Sequence, residues 1–288
     1  MIHLVVNPIA GNGKAKETGA LVDEYLTSKQ IEHALFYTNA AGHATALARE
    51  SAATGVETVI SIGGDGTLSE TAMGLMYSRT ALGVVPAGTG NDLVKTLRTP
   101  SDWKEAVDFI LAHEARPLDT GMLNEMFFIN ECGAGFDVMV LDYAAKAKKY
   151  VQGIWPYLYG VICAIVKYKP IHFHIEIGED IVLDDDFLVV DIANGRFIGG
   201  GIPIAPLADP SDGLFDIMIL NSLPRWKLPF YLPSLLGGTL HKRKANHLYR
   251  AATCRVTSPG MRLNHDGDID PIDSALFRCE RNALSVHW

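Results

Sequence analysis

Three glycines grouped around one carboxylate, Gly63-Gly64-Asp65-Gly66-Thr67, follow directly on the apolar run Thr58-Val59-Ile60-Ser61-Ile62. A short β-branched run that ends at glycine reads as a strand buried in a parallel sheet. Beyond it, Leu68, Ala72, Leu75 and Met76 recur at helical spacing. A glycine-rich turn between strand and helix bares backbone N–H groups and the positive end of the helix, and so suits an anion such as a phosphate. An ordinary tight turn uses the same residues, so the rest of the chain has to decide.

The neighbouring segments repeat the pattern. Residues 2–6 read as a strand ending at Asn7-Pro8, followed by the loop Ile9-Ala10-Gly11-Asn12-Gly13-Lys14, which carries a cation. A helix over 15–29, a strand over 31–38 and a helix over 44–54 come next. This alternation predicts an α/β domain with right-handed crossovers and ligands at the C-terminal strand edge. A further strand over 81–85 runs into a second glycine turn, Pro86-Ala87-Gly88-Thr89-Gly90-Asn91-Asp92. In one parallel sheet both turns open on the same edge, which allows Asp65 and Asp92 to approach each other. Two carboxylates beside a polyphosphate need a counter-charge, and Mg²⁺ or Lys14 would supply it. Asn91-Asp92 can at the same time cap the helix that begins at Leu93.

After a helix over 102–113, short β-type runs dominate, at 126–130, 171–177, 187–193, 215–220, 251–256 and 283–288. Such a series predicts a β-rich sandwich. With 288 residues, two domains are expected, 1–117 and 118–288, with the last strand free to return to the first. A hydrophobic content of 48% with 20% charged residues is globular, and a net charge of −8 argues against a general nucleic-acid binder. Cys132, Cys163, Cys254 and Cys279 are far apart and form no metal-type pair, which fits free thiols in a reducing cytosol. The N-terminus has no basic segment leading into a long apolar one, so no signal peptide is expected.

Asn7-Pro8 with Gly11, Gly63-Gly64-Asp65-Gly66-Thr67 and Pro86-x-Gly88-Thr89-Gly90-Asn91-Asp92 resemble, in order and spacing, the catalytic domain of the diacylglycerol kinase family, in particular its small soluble bacterial lipid kinases. The resemblance continues through Leu118-Asp119-Thr120-Gly121, Phe128-Ile129-Asn130 with Gly133 and Gly135, Asn194 with Gly199-Gly200-Gly201, Pro206 with Ala208, Asp212-Gly213 with Asp216, and Asp266-Gly267. Gly-Gly-Asp-Gly-Thr alone is shared with NAD kinases and some phosphofructokinases; the remaining motifs are not. The resemblance implies a three-layer α/β domain with a mostly parallel sheet, a C-terminal β-rich sandwich, and an active site in the cleft between them. The implied activity is transfer of the γ-phosphoryl group of ATP to a hydroxyl of diacylglycerol or a related lipid, with Mg²⁺. An NAD kinase-like phosphotransferase and a non-catalytic nucleotide-binding regulator are the alternatives.

By the same resemblance the nucleotide contacts fall on Asn7, Pro8, Ile9, Ala10, Gly11, Thr38, Gly63, Gly64, Asp65, Gly66, Thr67, Leu68, Ser69 and Thr89, where Ser69 replaces the family's usual Asn. Asp65 is implied as the carboxylate that works with Mg²⁺, and Asp92 as its partner. In Asn264-His265-Asp266-Gly267-Asp268 the family places the base that accepts the hydroxyl proton. Asp266 is favoured here and Asp268 competes, because the family's usual acid at the latter position is Glu. An Asp-Gly hairpin turn would use the same dipeptide. A structural Mg²⁺ is implied at Asp212, with the carbonyls of Asp209 and Leu214, where a β-turn is the plain alternative.

Between Asp216 and Asp266 there is no Asp or Glu, whereas Arg225, Lys227, Lys242, Arg243, Lys244, Arg250, Arg255 and Arg262 are all present. Around Trp226, Phe230 and Tyr231 these cations are interleaved with large apolar groups. Lys146, Lys148, Lys149, Lys167 and Lys169 likewise flank Ile154-Trp155-Pro156-Tyr157-Leu158-Tyr159. Gln152, Pro156 and the lysines keep this run short of the ~20 apolar residues that a membrane span needs. Peripheral docking of a cytoplasmic protein on an anionic membrane is expected, with a lipid alcohol as substrate, no nucleic acid, and a second copy of the chain allowed as a partner.

Overall fold

The computed structural model describes residues 1–147, 150–151 and 155–288; Lys148, Lys149, Gln152 and Ile154 of the second basic stretch lie outside the described residues. The chain divides into two compact units, Met1–Thr120 with Arg281–Trp288, and Gly121–Glu280. Compared with a division at 117, the first unit gains Leu118, Asp119, Thr120 and the C-terminal segment.

In the first unit, β1 (Ile2–Val6), α1 (Lys14–Ser28), β2 (His33–Tyr37), α2 (His43–Ala53), β3 (Thr58–Gly63), α3 (Asp65–Leu75) and β4 (Ala81–Pro86) alternate, followed by α4 (Asp92–Leu97) and α5 (Trp103–Ala112). The strands lie in the order β4-β3-β1-β2, every pair parallel. Every residue of β1, β3 and β4 is buried, as a parallel sheet covered on both faces requires. Period-two alternation sorts the two faces. Leu4, Val6, Ile60 and Ile62 pack with Val22 and Leu26 of α1 and with Val107 and Ile110 of α5. His3 points the other way and bonds Ser51 of α2, 2.8 Å away, and α2 packs on α3. These are three layers, α1/α5, sheet and α2/α3.

Helix α3 begins at Asp65, earlier than the periodicity predicts. A carboxylate in a first turn is favoured by the helix dipole, so Asp65 joins the helix it precedes. Asp102 caps α5, accepting the N–H groups of Lys104 and Glu105. Ser285 and Val286 extend the sheet, in parallel register with Ala81 and Leu82. His287 fastens this end: its Nδ1 faces the His113 carbonyl at 2.8 Å and its Nε2 the Thr58 hydroxyl at 3.2 Å. A carbonyl only accepts, so Nδ1 is the protonated nitrogen; burial lowers the pKa of this ring.

The second unit is built on β5 (Arg116–Leu123), which enters it from the first, β6 (Met126–Phe128), β7 (Glu131–Gly135), α6 (Phe136–Ala147), α7 (Trp155–Lys167), β8 (Ile171–Ile177), β9 (Ile181–Ala193), β10 (Phe215–Asn221), α8 (Leu232–Leu236), β11 (Asn246–Ala251), β12 (Thr253–Thr257), β13 (Arg262–His265), β14 (Asp268–Pro271) and β15 (Ser274–Val286), whose end returns to the first unit. The first half of β9 pairs with β8, while its second half lies between β7 and β10. One long strand therefore serves both layers of the sandwich. Phe128, Phe173, Phe215 and Phe277 fill the space between, with the Phe128 ring 5.4 Å from Phe215 and edge-on to Phe277. Burying such side chains contributes about 2–3 kcal/mol each. The helices α6 and α7 pack on each other beside this core.

Candidate active site

Because β4, β3 and β1 are adjacent and parallel, the loops after them share one edge of the sheet. Asn7, at the end of β1, donates its side-chain amide to Thr67 Oγ1 at 3.0 Å and accepts the Ile9 N–H at 3.3 Å. Thr38, at the end of β2, donates its N–H to the Val6 carbonyl at 2.8 Å. Gly63 accepts the Ala87 N–H, also at 2.8 Å, joining the two glycine turns. Gly64 is the extended residue before α3, and Gly66, Thr67, Leu68 and Ser69 lie in its opening turns. Leu68 is buried, so of the expected contacts it offers backbone alone. Ile9 and Thr89 are exposed at the rim, and Pro8, Ala10 and Gly11 are half-buried.

Asp65 holds the second turn. Its Oδ2 accepts the Asn91 N–H and its Oδ1 the Asp92 N–H, each at 2.7 Å. A Cβ on Gly90 would lie 2.5 Å from Asp65 Oδ2, so only glycine admits the carboxylate there. Burial, and then the charge of Asp92, raises the pKa of Asp65. The counter-charge on Asp92 is Lys95, 3.2 Å away in the next turn of α4, and not Lys14, which makes no ion pair among the described residues. The spacing of three between Asp92 and Lys95 was the signal for this pair. Asp65 and Asp92 present oxygen ligands of the kind Mg²⁺ takes, beside the Lys95 ammonium and the two N–H groups that Asp65 already accepts.

In the second unit the turn 265–268 joins β13 to β14. Asp266 and Gly267 both have positive φ, 48° and 104°, the conformation of a two-residue hairpin turn. Both oxygens of Asp266 face backbone: Oδ2 accepts the Ile129 N–H at 2.8 Å, and Oδ1 accepts those of Asn130 and Glu131 at 2.9 and 3.1 Å. Three backbone donors thus occupy the two oxygens of Asp266. Asp266, the favoured base, is thereby engaged in holding the turn. Asp268 is exposed on the other side of Gly267, and its carboxylate makes no hydrogen bond or ion pair among the described residues.

In the loop 209–214 the carboxylates expected near a structural Mg²⁺ also bond within the protein. Asp212 Oδ1 accepts the Leu214 N–H at 3.0 Å, and Oδ2 faces the Arg250 guanidinium. Asp209 accepts the N–H and hydroxyl of Ser211, and its carbonyl accepts the Asp212 N–H. Asp209, Asp212 and Leu214, expected to hold a structural Mg²⁺, lie in one turn beside the Arg250 guanidinium. Nowhere among the described residues do three Asp, Glu, His or Cys side chains converge as metal ligands.

Periodicity gave no warning of a group of buried acids over Gly133. Glu131 and Asp191 lie on one face of β7 and β9, and Asp137 reaches over them from α6. The Asp137 oxygens and Asp191 Oδ1 are buried without a hydrogen-bond partner among the described residues. Burial, with mutual repulsion, raises Glu131 and Asp191 well above the carboxylate range, and burial pushes Asp137 up to about 7. A carboxyl whose folded pKa exceeds its unfolded one stabilises fully at low pH and loses that contribution as pH rises to the folded value. From 3.8 to about 7, Asp137 costs about 4 kcal/mol. Asp137→Asn is therefore expected to gain stability over the native chain between pH 4 and pH 8 by that order, read from urea unfolding at both pH values; a pH-independent difference would show that Asp137 stays ionised.

The comparisons with known proteins agree with this layout. Residues 1–123 match the model of the diacylglycerol kinase catalytic domain, and residues 130–288 match the YegS C-terminal NAD kinase beta sandwich-like domain. A diacylglycerol kinase from Bacillus subtilis is 32% identical over 274 residues, covering 92% of this chain and 89% of its own. One from Mycobacterium tuberculosis is 28% identical over 273 residues, covering 93% and 88%. The crystal structure of a putative diacylglycerol kinase from Bacillus anthracis superposes with a TM-score of 0.82 at 24% identity, covering 100% of this chain and 96% of that one, and shares its fold.

Proposed function

The chain belongs to the diacylglycerol kinase family of lipid kinases, and from that premise we propose that it transfers the γ-phosphoryl group of ATP to a hydroxyl of diacylglycerol or a related lipid. The observation that carries the reading is the pair Asp65 and Asp92, set between two glycine turns at one sheet edge with Lys95 as counter-charge. The N–H groups of the α3 N-terminus and the adjoining loops receive the phosphates. Asp65 and Asp92 would hold a Mg²⁺, which would supply charge neutralisation for the transferred phosphoryl group. On the acceptor side, Asp268 takes the hydroxyl proton, and Asp266 fixes the turn that carries it.

A lipid substrate asks for a surface that meets a bilayer, and α7 has one. Its buried positions are Pro156, Gly160 and Ala164, and a Cβ on Gly160 would lie 2.4 Å from the Val140 carbonyl of α6. Its exposed positions are large: Trp155, Leu158, Tyr159, Ile162 and Val166. That stripe inverts the usual amphipathic order. The helical segment Arg225–Phe230 packs against α7 and exposes Trp226 and Phe230. Lys146, Lys167, Lys169 and Lys227 accompany this apolar surface and suit anionic headgroups, about 1 kcal/mol for each cation near the membrane. No described helix is long and apolar enough to cross a membrane. Docking in the interfacial plane follows.

The test is ATP consumption against a panel of lipid alcohols in vesicles of phosphatidylglycerol and phosphatidylcholine, with NAD as a separate acceptor. Phosphorylation of a lipid and not of NAD is expected; the reverse would replace the acceptor class, and neither would leave a nucleotide-binding regulator. Co-sedimentation with the same vesicles should weaken as salt rises and as Ile162→Ser and Trp226→Ser are introduced. Binding indifferent to salt, anionic lipid and both substitutions would remove the docking surface.

A further inference from the structure

We propose that Glu131 is a positioning residue for the acceptor half of the reaction, fixing through Asn264 the turn from which Asp268 projects. The inference rests on the assignment of Asp268 to the hydroxyl proton. Residue 131 meets the turn three times. Its N–H donates to Asp266 Oδ1 at 3.1 Å, its carbonyl accepts the Asp266 N–H at 3.0 Å, and its Oε1 accepts Asn264 Nδ2 at 2.6 Å. Asn264 in turn accepts the Gly267 N–H on Oδ1 at 3.0 Å. Asn264 and Asp266 are thus tied to residue 131 directly and Gly267 through Asn264, and Asp268 follows as the first residue of β14.

Such a chain is worth building only where an orientation matters. A hairpin turn of this kind forms without a buried acid beneath it, and burying Glu131 beside Asp191 and Asp137 costs stability. The position of the second Glu131 oxygen shows how that cost is contained. A Cβ on Gly133 would lie 3.5 Å from Glu131 Oε2 and 2.2 Å from Asp137 Oδ2, so both oxygens point into the space that this glycine leaves empty. Asp191 faces the same space across the β7–β9 pair. Three carboxyl groups with buried oxygens around one small space disfavour full ionisation of the group. Burial raises Glu131 well above the carboxylate range, with Asp191, Asp137 and Asp266 reinforcing the effect and the Asn264 bond opposing it. A neutral Glu131 keeps Oε1 as the acceptor for Asn264 and has a proton to offer to the unpartnered oxygens of Asp137 and Asp191. When it ionises, repulsion within the group pushes on Asn264 and on the turn.

Glu131→Met removes the acceptor and keeps the volume. It is expected to lower kcat by about tenfold to a hundredfold with an unchanged KM for ATP, since the nucleotide contacts lie elsewhere and a small misplacement has effects of this size. Amide hydrogen exchange at Gly267 should quicken in parallel. Glu131→Gln keeps the acceptor without the charge, restores kcat to within about threefold, and extends activity on the alkaline side, where the native chain loses it as Glu131 ionises. A Met variant with native kcat, or a Gln variant as impaired as Met, overturns the assignment. If Glu131→Met does not fold, Asn264→Asp supplies the same test, because it keeps the acceptor for Gly267 and sets a second carboxylate against Glu131. Exchange at Gly267 reads the lock without any substrate. Native exchange in both Glu131→Met and Asn264→Asp overturns the positioning role even in an active kinase, and fast exchange in a chain that phosphorylates no lipid leaves the lock standing and removes the kinase reading instead.

Discussion

Asp268→Asn is expected to lower turnover by about 10²–10⁴ with unchanged ATP binding and an unchanged melting temperature, whereas Asp266→Asn is expected to act on stability. The difference follows from where each carboxylate points. Asp268 is exposed with no protein partner among the described residues, so an amide there disturbs no contact and removes only a proton acceptor. Asp266 accepts three backbone N–H groups on two oxygens. An asparagine keeps an acceptor for Asn130 and Glu131 but turns an NH₂ group toward the Ile129 N–H. Losing that charge-assisted bond and leaving a donor unpaired costs about 2–3 kcal/mol. Asp266→Asn should melt lower and keep a substantial part of its kcat when assayed well below the transition. The opposite pattern, an inactive Asp266→Asn with native stability beside an active Asp268→Asn, would return the base to Asp266.

The motif at 264–268 marked the turn but not which of its two carboxylates the backbone N–H groups engage. A sequence reports which groups are present, while the role of a carboxylate depends on how many N–H groups surround it. Those of 129–131 are more than 130 positions away in the chain. The first unit was more legible. Its parallel strands are continuous apolar runs bounded by glycine and proline, and both glycine turns fall at strand ends, so β1, β3 and β4 lie at or within a residue of their expected bounds. In the second unit, strands with one outward face were also readable, as at β8, where Phe173, Ile175 and Ile177 alternate with His172, His174 and Glu176. The helix α7 was not, because a helix that buries proline, glycine and alanine and exposes tryptophan and isoleucine has no large apolar stripe facing the core. The acids over Gly133 escaped for a related reason: in a strand pattern Glu131 and Asp191 read as solvent-facing residues, and only α6 lying over them reverses that.

Asp65→Asn should nearly abolish turnover, by about 10³, and the way it fails distinguishes an electrostatic role from a structural one. Asp65 anchors the second glycine turn through the N–H groups of Asn91 and Asp92, and under the proposed function it also brings negative charge to where a cation would bind. Asparagine retains one of the two acceptors, so ATP binding without metal should weaken only modestly while the response of ATP affinity to added Mg²⁺ disappears. Because burial and the charge of Asp92 hold the Asp65 pKa above the usual value, the native chain should lose activity on acidification sooner than an exposed aspartate would dictate, as its working form is the ionised one. Lys95→Met sharpens the argument. It removes the cation 3.2 Å from Asp92, which leaves the Asp92 charge acting undiminished on Asp65 and moves the acid limb of the rate profile to higher pH. An Asp65→Asn chain that retains most of its turnover, or a Lys95→Met chain whose acid limb stays in place, would mean that the two carboxylates do not act as one charged site.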